Sequence, residues 1–502
     1  MTLPMDFQQA FSLLSLLLIC IYLFLLRRTG RPSSGGGLPP GPRPLPLLGN
    51  ILDLGRRPHQ ALAELTRKYG PVMTLRLGTV ATVVVSSRET AREVLQKNDH
   101  AMSSRTIPDV VRARGHYKHS LVWLPATAKW KTFRRACSMQ ILSRQKLEST
   151  ESLRRKKVDE MLNHLRESAA SGRAVDVGQA AFTTVMNLMW NTLFSVDLLN
   201  HHEDESGMEL KKLLWGMMRE GGRPNISDFF PALRWIDLQG ARRRMEAYFG
   251  RLFEVFDDIV EEKMRARAST DGSPSQACDM LDSLLDLRDS LELSREDING
   301  LLADLVVAGV DTTSTVIEWA MAELLRHPEK MAKARAEMEG VLGRGSEVRE
   351  SDIQRLPYLQ AVVKETLRLF QPFLLPHRVD KEDVEISGFK IPKGTQVLVN
   401  LWAMGRDPRV WEDPDRFEPE RFMELDIDTK GADFELIPFG SGRRMCPGMP
   451  LAHRTVHLIL GSLVHSFEWK LGNGERHETV DMTEKLGIVL HKAKQLYAIP
   501  TV

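Results

Sequence analysis

The chain has 502 residues, 27% of them charged, and a formal net charge of only +2. That balance excludes a binder that works through a basic patch on nucleic acid, and the four cysteines, Cys20, Cys137, Cys278 and Cys446, are too scattered for a disulfide framework or a cysteine-rich metal site. The length admits about three domains or one large one.

Ala10 to Leu26 is apolar apart from Ser12 and Ser15, and Arg27, Arg28 and Arg31 follow at once. The run is at the short end for a bilayer span. A cleaved signal peptide needs positive charge ahead of the run, and the one charged side chain there is Asp6. Basic residues on the C-terminal side place that side in the cytosol. The expectation is a membrane anchor over residues 1–28, which would keep the sequon Asn225-Ile-Ser227 unglycosylated. Residues 29–46 contain Leu38-Pro-Pro-Gly-Pro42, which neither continues a helix nor pairs as a central strand, so they read as a stiff linker. Residues 47–502 remain as one catalytic domain.

Val72 to Ser86 alternates and is rich in Val, Thr and Leu, which predicts a β-hairpin turning near Gly78. Arg105 to Trp123 has no sustained period and reads as a long loop. Lys129 to Leu142 is helical, with Trp130 and Arg134 one turn apart on one face. Further helices are expected over Val175–Asn200, Met208–Arg219 and Ala241–Ala268. The glycine pair and prolines of Gly221–Gly240 break the pattern, and Ser269–Ala277 is an exposed polar loop.

Ile298 to Arg326 is the longest apolar helix. It contains Ala308-Gly-Val-Asp-Thr312-Thr313, where a glycine, a β-branched residue and an acid all weaken a helix. A hydroxyl there competes for the carbonyls one turn back, so a local bulge or kink is expected. Tyr358 to Phe370 is a helix with Glu365 and Arg368 three apart on one face. Strands are expected over Val384–Phe389 and Thr395–Leu401, joined by a turn at Pro392–Gly394. Lys485 to Leu490 reads as a short apolar hairpin arm whose tip could enter a pocket.

Near the C-terminus, Phe439-Gly-Ser-Gly-Arg-Arg-Met-Cys446-Pro-Gly448 holds one cysteine in a glycine-rich loop. A thiolate is a soft, electron-rich ligand that suits iron in haem among other metals. Arg443, Arg444 and the N–H groups of a helix starting near Pro447 are expected to keep it ionised. Gly442 and Gly448 let the backbone turn sharply and approach a flat cofactor, and Phe439 walls the sulfur. Two other readings compete: a buried structural cysteine, and a dinucleotide loop. The latter fails at Met445, where a third glycine should stand.

This decapeptide resembles the haem loop of the cytochrome P450 superfamily at Phe439, Gly442, Arg444, Cys446 and Gly448, and the resemblance covers essentially the whole chain. It implies a mainly α fold with small β-sheets, a helical prism around haem b (iron protoporphyrin IX), with Cys446 as the metal ligand. It implies that Trp130 and Arg134 donate to one haem propionate. A basic residue of Pro376-His377-Arg378 meets the other; His377 stands where many members have Arg, which leaves His377 and Arg378 both as candidates. Asp311 and Thr312 would deliver protons to bound oxygen, and the alternative is a capped kink with a surface acid. Glu365 and Arg368 would lock with Arg421 of Pro419-Glu-Arg421-Phe422 in a structural role beneath the cysteine loop.

Arg105-Thr-Ile-Pro-Asp109, Ser120-Leu-Val-Trp-Leu-Pro125, Pro224-Asn-Ile-Ser-Asp-Phe-Phe-Pro231 and Trp235-Ile-Asp-Leu-Gln-Gly240 resemble a plant clan that includes geraniol hydroxylases and abietane diterpene oxidases. The clan implies hydroxylation of a small apolar terpenoid by a monomer at the cytosolic face of the endoplasmic reticulum membrane. Electrons would come from NADPH through cytochrome P450 reductase, docked by Lys129, Lys131, Arg135 and Arg443, with no nucleic-acid partner. The expected pocket is Ile107, Val110, Leu121 and Val122 from the long loop, Asp304, Leu305 and Ala308 from the long helix, Phe373, Leu374 and Leu375, and Ile488 and Val489 at the hairpin tip. Asp304 bonds either a substrate hydroxyl or groups of the protein. A phenolic or alkaloid substrate, a haem-thiolate lyase or isomerase, and a non-catalytic haem protein are the alternatives. The Asp311-Thr312 pair counts against the lyase.

Overall fold

In the computed structural model, which describes residues 37–501 apart from 197, 199–204, 270–278, 289–290, 372–375 and 473, the first long helix is α1 (Pro58–Tyr69). Leu62 of α1 packs in one cluster with Met73, Leu75 and Val84 of the antiparallel hairpin β1 (Val72–Leu77) and β2 (Val80–Val85). The anchor expected over 1–28 lies outside the described residues. The hairpin grows into a five-stranded sheet in the order β1-β2-β8-β5-β3, using β3 (Ser104–Arg105), β5 (His377–Arg378) and β8 (Gln396–Val399). β2 and β8 run parallel, with Val83 opposite Val397, and both are fully buried. A parallel pair covered on both faces favours such Val-rich segments.

The helices follow. The main ones are α2 (Ala128–Ala136), α3 (Glu151–Ala170), α4 (Val177–Phe194), α5 (Glu205–Gly222), α6 (Ala241–Ser269), α7 (Arg295–Arg326), α8 (Pro328–Leu342), α9 (Pro357–Leu369) and α10 (Met449–Ser466). Among the described residues α7 alone is long and apolar enough to cross a membrane, but most of its apolar window is buried. It is a core helix, packed along α4 and against α9 and α10. Small sheets close the chain. β4 (Val175–Asp176) and β9 (Glu468–Leu471) flank β12 (Tyr497–Thr501), and β10 (Glu484–Leu486) pairs with β11 (Leu490–Lys492).

Four expectations need correction. The strand expected over Val384–Phe389 is a hairpin of β6 (Val384–Ile386) and β7 (Phe389–Ile391), because Ser387 and Gly388 take positive φ of 49° and 81°. Gly221 and Gly222 do not break a helix but end α5. A Cβ on Gly222 would lie 2.8 Å from the Gly487 Cα, so these glycines let the β10–β11 tip come close. The helix expected to reach Asn200 stops at Phe194, with Ser195 at φ 60° as its left-handed cap. No bulge opens at Ala308–Thr313, where α7 runs on unbroken. The Thr312 and Ser314 hydroxyls donate to the Ala308 and Val310 carbonyls at 2.7 and 2.9 Å without displacing the helix. Gly309 serves packing instead, since a Cβ there would stand 2.9 Å from Met189 Cε of α4.

Candidate active site

Cys446 borders a cavity of about 480 Å3 lined mainly by apolar side chains and reached by α4, α5, α6, α7 and the hairpin tip. Its loop is set by local geometry. The Cys446 N–H donates to the Phe439 carbonyl at 2.9 Å, and Gly440 and Gly442 take φ of 72° and 66°. A Cβ on Gly442 would collide with the Leu95 carbonyl, so this glycine lets the loop come close to the Leu95 backbone. Gly448, at φ −79°, opens α10 with no left-handed turn, and a Cβ there would be 3.7 Å from the Cys446 sulfur. Phe439 lines the cavity, with its ring centroid 5.4 Å from that of His453.

The charges around the sulfur differ from the sequence expectation. Burial pushes the Cys446 thiol up, and the groups that oppose this are the Gly448 and Met449 N–H groups and Arg134. The helix N-terminus therefore acts as expected, but Arg443 and Arg444 do not. Arg443 pairs with Asp99 at 3.0 Å. Arg444 lies over the Trp130 ring at 4.6 Å and donates to the carbonyls of Ser103, Leu121 and Leu124.

Arg105, Arg134 and Arg444 all line the cavity. Burial lowers all three, Arg105 to about 9 and Arg444 to about 10, and Arg444 also suffers from Arg134 and Arg105 from Arg444. Like charges gathered in a partly buried wall are costly unless an anion joins them. A soft thiol ligand at one side and three cations at another fit a flat iron cofactor that carries carboxylates. By this test the residues present suit haem.

The propionate expectations shift accordingly. The Trp130 N–H is engaged by the Leu121 carbonyl at 3.1 Å, so Trp130 supplies a ring for Arg444 while its N–H is spent inside the protein. His377 is buried, its Nδ1 lies 2.9 Å from the Met102 carbonyl, and burial next to Arg105 drops it to about 3, so it stays neutral. Arg378 is exposed and borders a separate, smaller cavity. Of His377 and Arg378, neither lines the main cavity. Arg105, which the sequence did not single out for this role, does.

Above the cysteine side, Asp311 and Thr312 of α7 both line the cavity. Leu121, Val122, Asp304, Leu305, Ala308, Ile488 and Val489 line it as expected. Val110 does not, being packed in the core while its neighbour Val111 lines the cavity, and Ile107 borders the smaller one. Phe373, Leu374 and Leu375 lie outside the described residues. Met217, Met245 and Phe249 from α5 and α6 were missed. No local pattern marks them, because only the packing of two distant helices over the site brings them in. Asp304 bonds within the protein. Its carboxylate accepts from the Ser120 hydroxyl at 2.8 and 2.9 Å and from the Val122 N–H at 3.3 Å, and His116 Nε2 lies 3.2 Å away.

On the far side of α9, Glu365 and Arg368 form a fully buried two-point pair at 2.6 and 2.8 Å, and Arg421 reaches Glu365 at 3.1 Å. Arg368 also donates to the carbonyls of Gly405, Pro414 and Arg416, which ties α9 to the segment leading into the cysteine loop.

The family model described as Cytochrome P450 matches residues 39–499. The chain is 49% identical to cytochrome P450 monooxygenase 76AD131 of Lophophora williamsii over 486 residues, 96% of each chain. It is 48% identical to a geraniol 8-hydroxylase of Catharanthus roseus over 493 residues, 97% of this chain and 98% of the relative. A geraniol 8-hydroxylase of Swertia mussotii is 47% identical over 468 residues, 92% of this chain and 93% of the relative.

Proposed function

The chain belongs to the cytochrome P450 family of haem-dependent monooxygenases, and from that premise we propose that it hydroxylates a small apolar terpenoid, a monoterpene alcohol or a diterpene. The observation that carries the reading is that Cys446 and the Asp311–Thr312 pair face one mainly apolar cavity. Cys446 would hold the iron of a haem bound there, which would supply the redox chemistry that activates dioxygen. The chain's own residues do the rest. Arg105, Arg134 and Arg444 would hold the cofactor's carboxylates. Leu305, Ala308, Ile488 and Val489 bury a hydrocarbon and exclude water. Asp311 and Thr312 hold the protons that oxygen reduction consumes. The terpenoid assignment rests on this apolar lining and on the two geraniol 8-hydroxylases among the relatives.

Residues 1–28 anchor the protein in the endoplasmic reticulum membrane with the domain in the cytosol, and NADPH–cytochrome P450 reductase supplies the electrons. Of the four cations expected to dock it, Lys129 is paired with Asp297 at 2.6 Å and Arg443 with Asp99, which leaves exposed Lys131 and Arg135 as the better candidates.

Thr312→Ala tests the proton role. Its hydroxyl bonds the Ala308 carbonyl of its own helix, so its loss leaves the helix intact. The variant should consume NADPH at near the normal rate, release hydrogen peroxide, and make about tenfold less product per NADPH. Full coupling would contradict the role.

A further inference from the structure

Asp311, Thr315 and Glu318 stand at i, i+4 and i+7 along α7 and so share one face. Strand β11 lays His491 across that face. Its Nε2 is 3.5 Å from Asp311 Oδ2 and its Nδ1 is 3.2 Å from the Thr315 hydroxyl oxygen. The strand is pinned there, because the Trp319 N–H of α7 donates to the Leu490 carbonyl at 2.6 Å. Asp311 and Thr315 line the cavity, whereas His491 does not, yet 34% of its side chain is accessible. Asp311 touches the cavity on one side and His491 on the other.

We infer that His491 is the positioning residue for Asp311, holding its carboxylate and reloading it with protons that enter from outside the cavity. The proposal rests on the monooxygenase reading of the same site. The tautomers allow it. When the Thr315 hydroxyl donates to Nδ1, the ring's remaining N–H is on Nε2 and faces the carboxylate; when the ring is protonated, both nitrogens donate. In the transfer the Nε2–H bond breaks and an Oδ2–H bond forms on Asp311, leaving a neutral imidazole and a neutral acid. Asp311 then gives up that proton on the cavity side, and the imidazole, left with its proton on Nδ1, regains one at Nε2 from water that reaches the ring. No electron moves, so no oxidant is needed.

The charges around the ring agree. Burial disfavours its cation, but the hydrogen bond and charge of Asp311, with Glu318, outweigh this and hold His491 above its ordinary value, while Lys485 of β10 works the other way. Glu318 itself is lifted to about 7 by burial. Because the folded value is raised, the imidazolium is present on the acid side and lost as pH climbs through that value.

Two measurements on the detergent-solubilised full chain decide it. The first is an NMR titration of the histidines in the reduced, carbon monoxide-bound protein, with His491 assigned by its loss in His491→Gln. Its pKa should lie above the ordinary value of about 6.5 and fall in Asp311→Asn. The second is product per NADPH against pH, with reductase. The wild type should lose coupling as pH passes the His491 pKa. His491→Gln keeps a hydrogen bond but cannot titrate, so it should be flat with pH and about tenfold lower. A His491 pKa at the ordinary value in both proteins, or a His491→Gln profile that keeps the wild-type shape, would overturn the proposal. The titration needs no substrate, so an error in the substrate assignment leaves it readable.

Discussion

Cys446→Ser is expected to lose the thiolate-type spectrum of the reduced, carbon monoxide-bound protein, and monooxygenation with it. A thiolate pushes electron density toward oxygen activation in a way that a harder, more basic oxygen ligand does not. The surroundings of Cys446 would not rescue an alkoxide. Even for the thiol, burial outweighs the help from two backbone N–H groups and Arg134. The fold should survive, because the Cys446 N–H bond to the Phe439 carbonyl involves only backbone and the side chain changes little in volume. Retained folding with a lost thiolate spectrum is the result to look for in absorption spectra taken beside circular dichroism. A normal thiolate spectrum in this variant would remove Cys446 from the site.

The second large effect is on stability. Arg368→Ala removes a guanidinium that serves Glu365 at two points and three backbone carbonyls, all in a fully buried place. Glu365 would be left as a buried carboxylate with Arg421 and the Glu418 N–H as its remaining partners. Breaking a buried pair from one side costs about 3–5 kcal/mol. An exposed, solvent-screened pair such as Arg144–Glu148 contributes little and serves as the control. Urea unfolding followed by fluorescence should show a large loss for Arg368→Ala and almost none for Arg144→Ala. Equal, small losses would mean that the cluster does not support the cysteine loop.

How much of this was legible in the sequence depended on how local each feature is. The cysteine loop could be read because its residues are consecutive, and Glu365–Arg368 because a helix fixes a spacing of three. The hairpin could be read for a similar reason, since its two arms, Glu484–Leu486 and Leu490–Lys492, are close in the chain and pair with each other. What failed was inference from sequence neighbourhood to spatial neighbourhood. Arg443 and Arg444 are adjacent to Cys446 in the chain, yet their side chains leave for Asp99 and for the carbonyls of a distant loop. Arg134, more than three hundred residues earlier, carries the charge the thiol feels. Val110 and Val111 show the same limit on a smaller scale, because they sit in a short 3-10 turn that is cut off by Arg114 and Gly115 at positive φ and is too brief to carry a period from which to read a facing side. Gly221 and Gly222 looked like helix breakers, but a close approach from the β10–β11 tip explains them, and that contact is visible only in three dimensions.

The central claim is that this cavity hydroxylates terpenoids, and the most direct test is turnover in microsomes with reductase and NADPH. The panel offers geraniol-like alcohols, abietane-type diterpenes, and plant phenolics and alkaloids side by side. Oxygen-containing product from a terpenoid group, dependent on NADPH and on Cys446, is the expected result. Product from phenolics or alkaloids alone would contradict the terpenoid assignment while leaving the monooxygenase chemistry in place, and turnover without NADPH would contradict the monooxygenase reading.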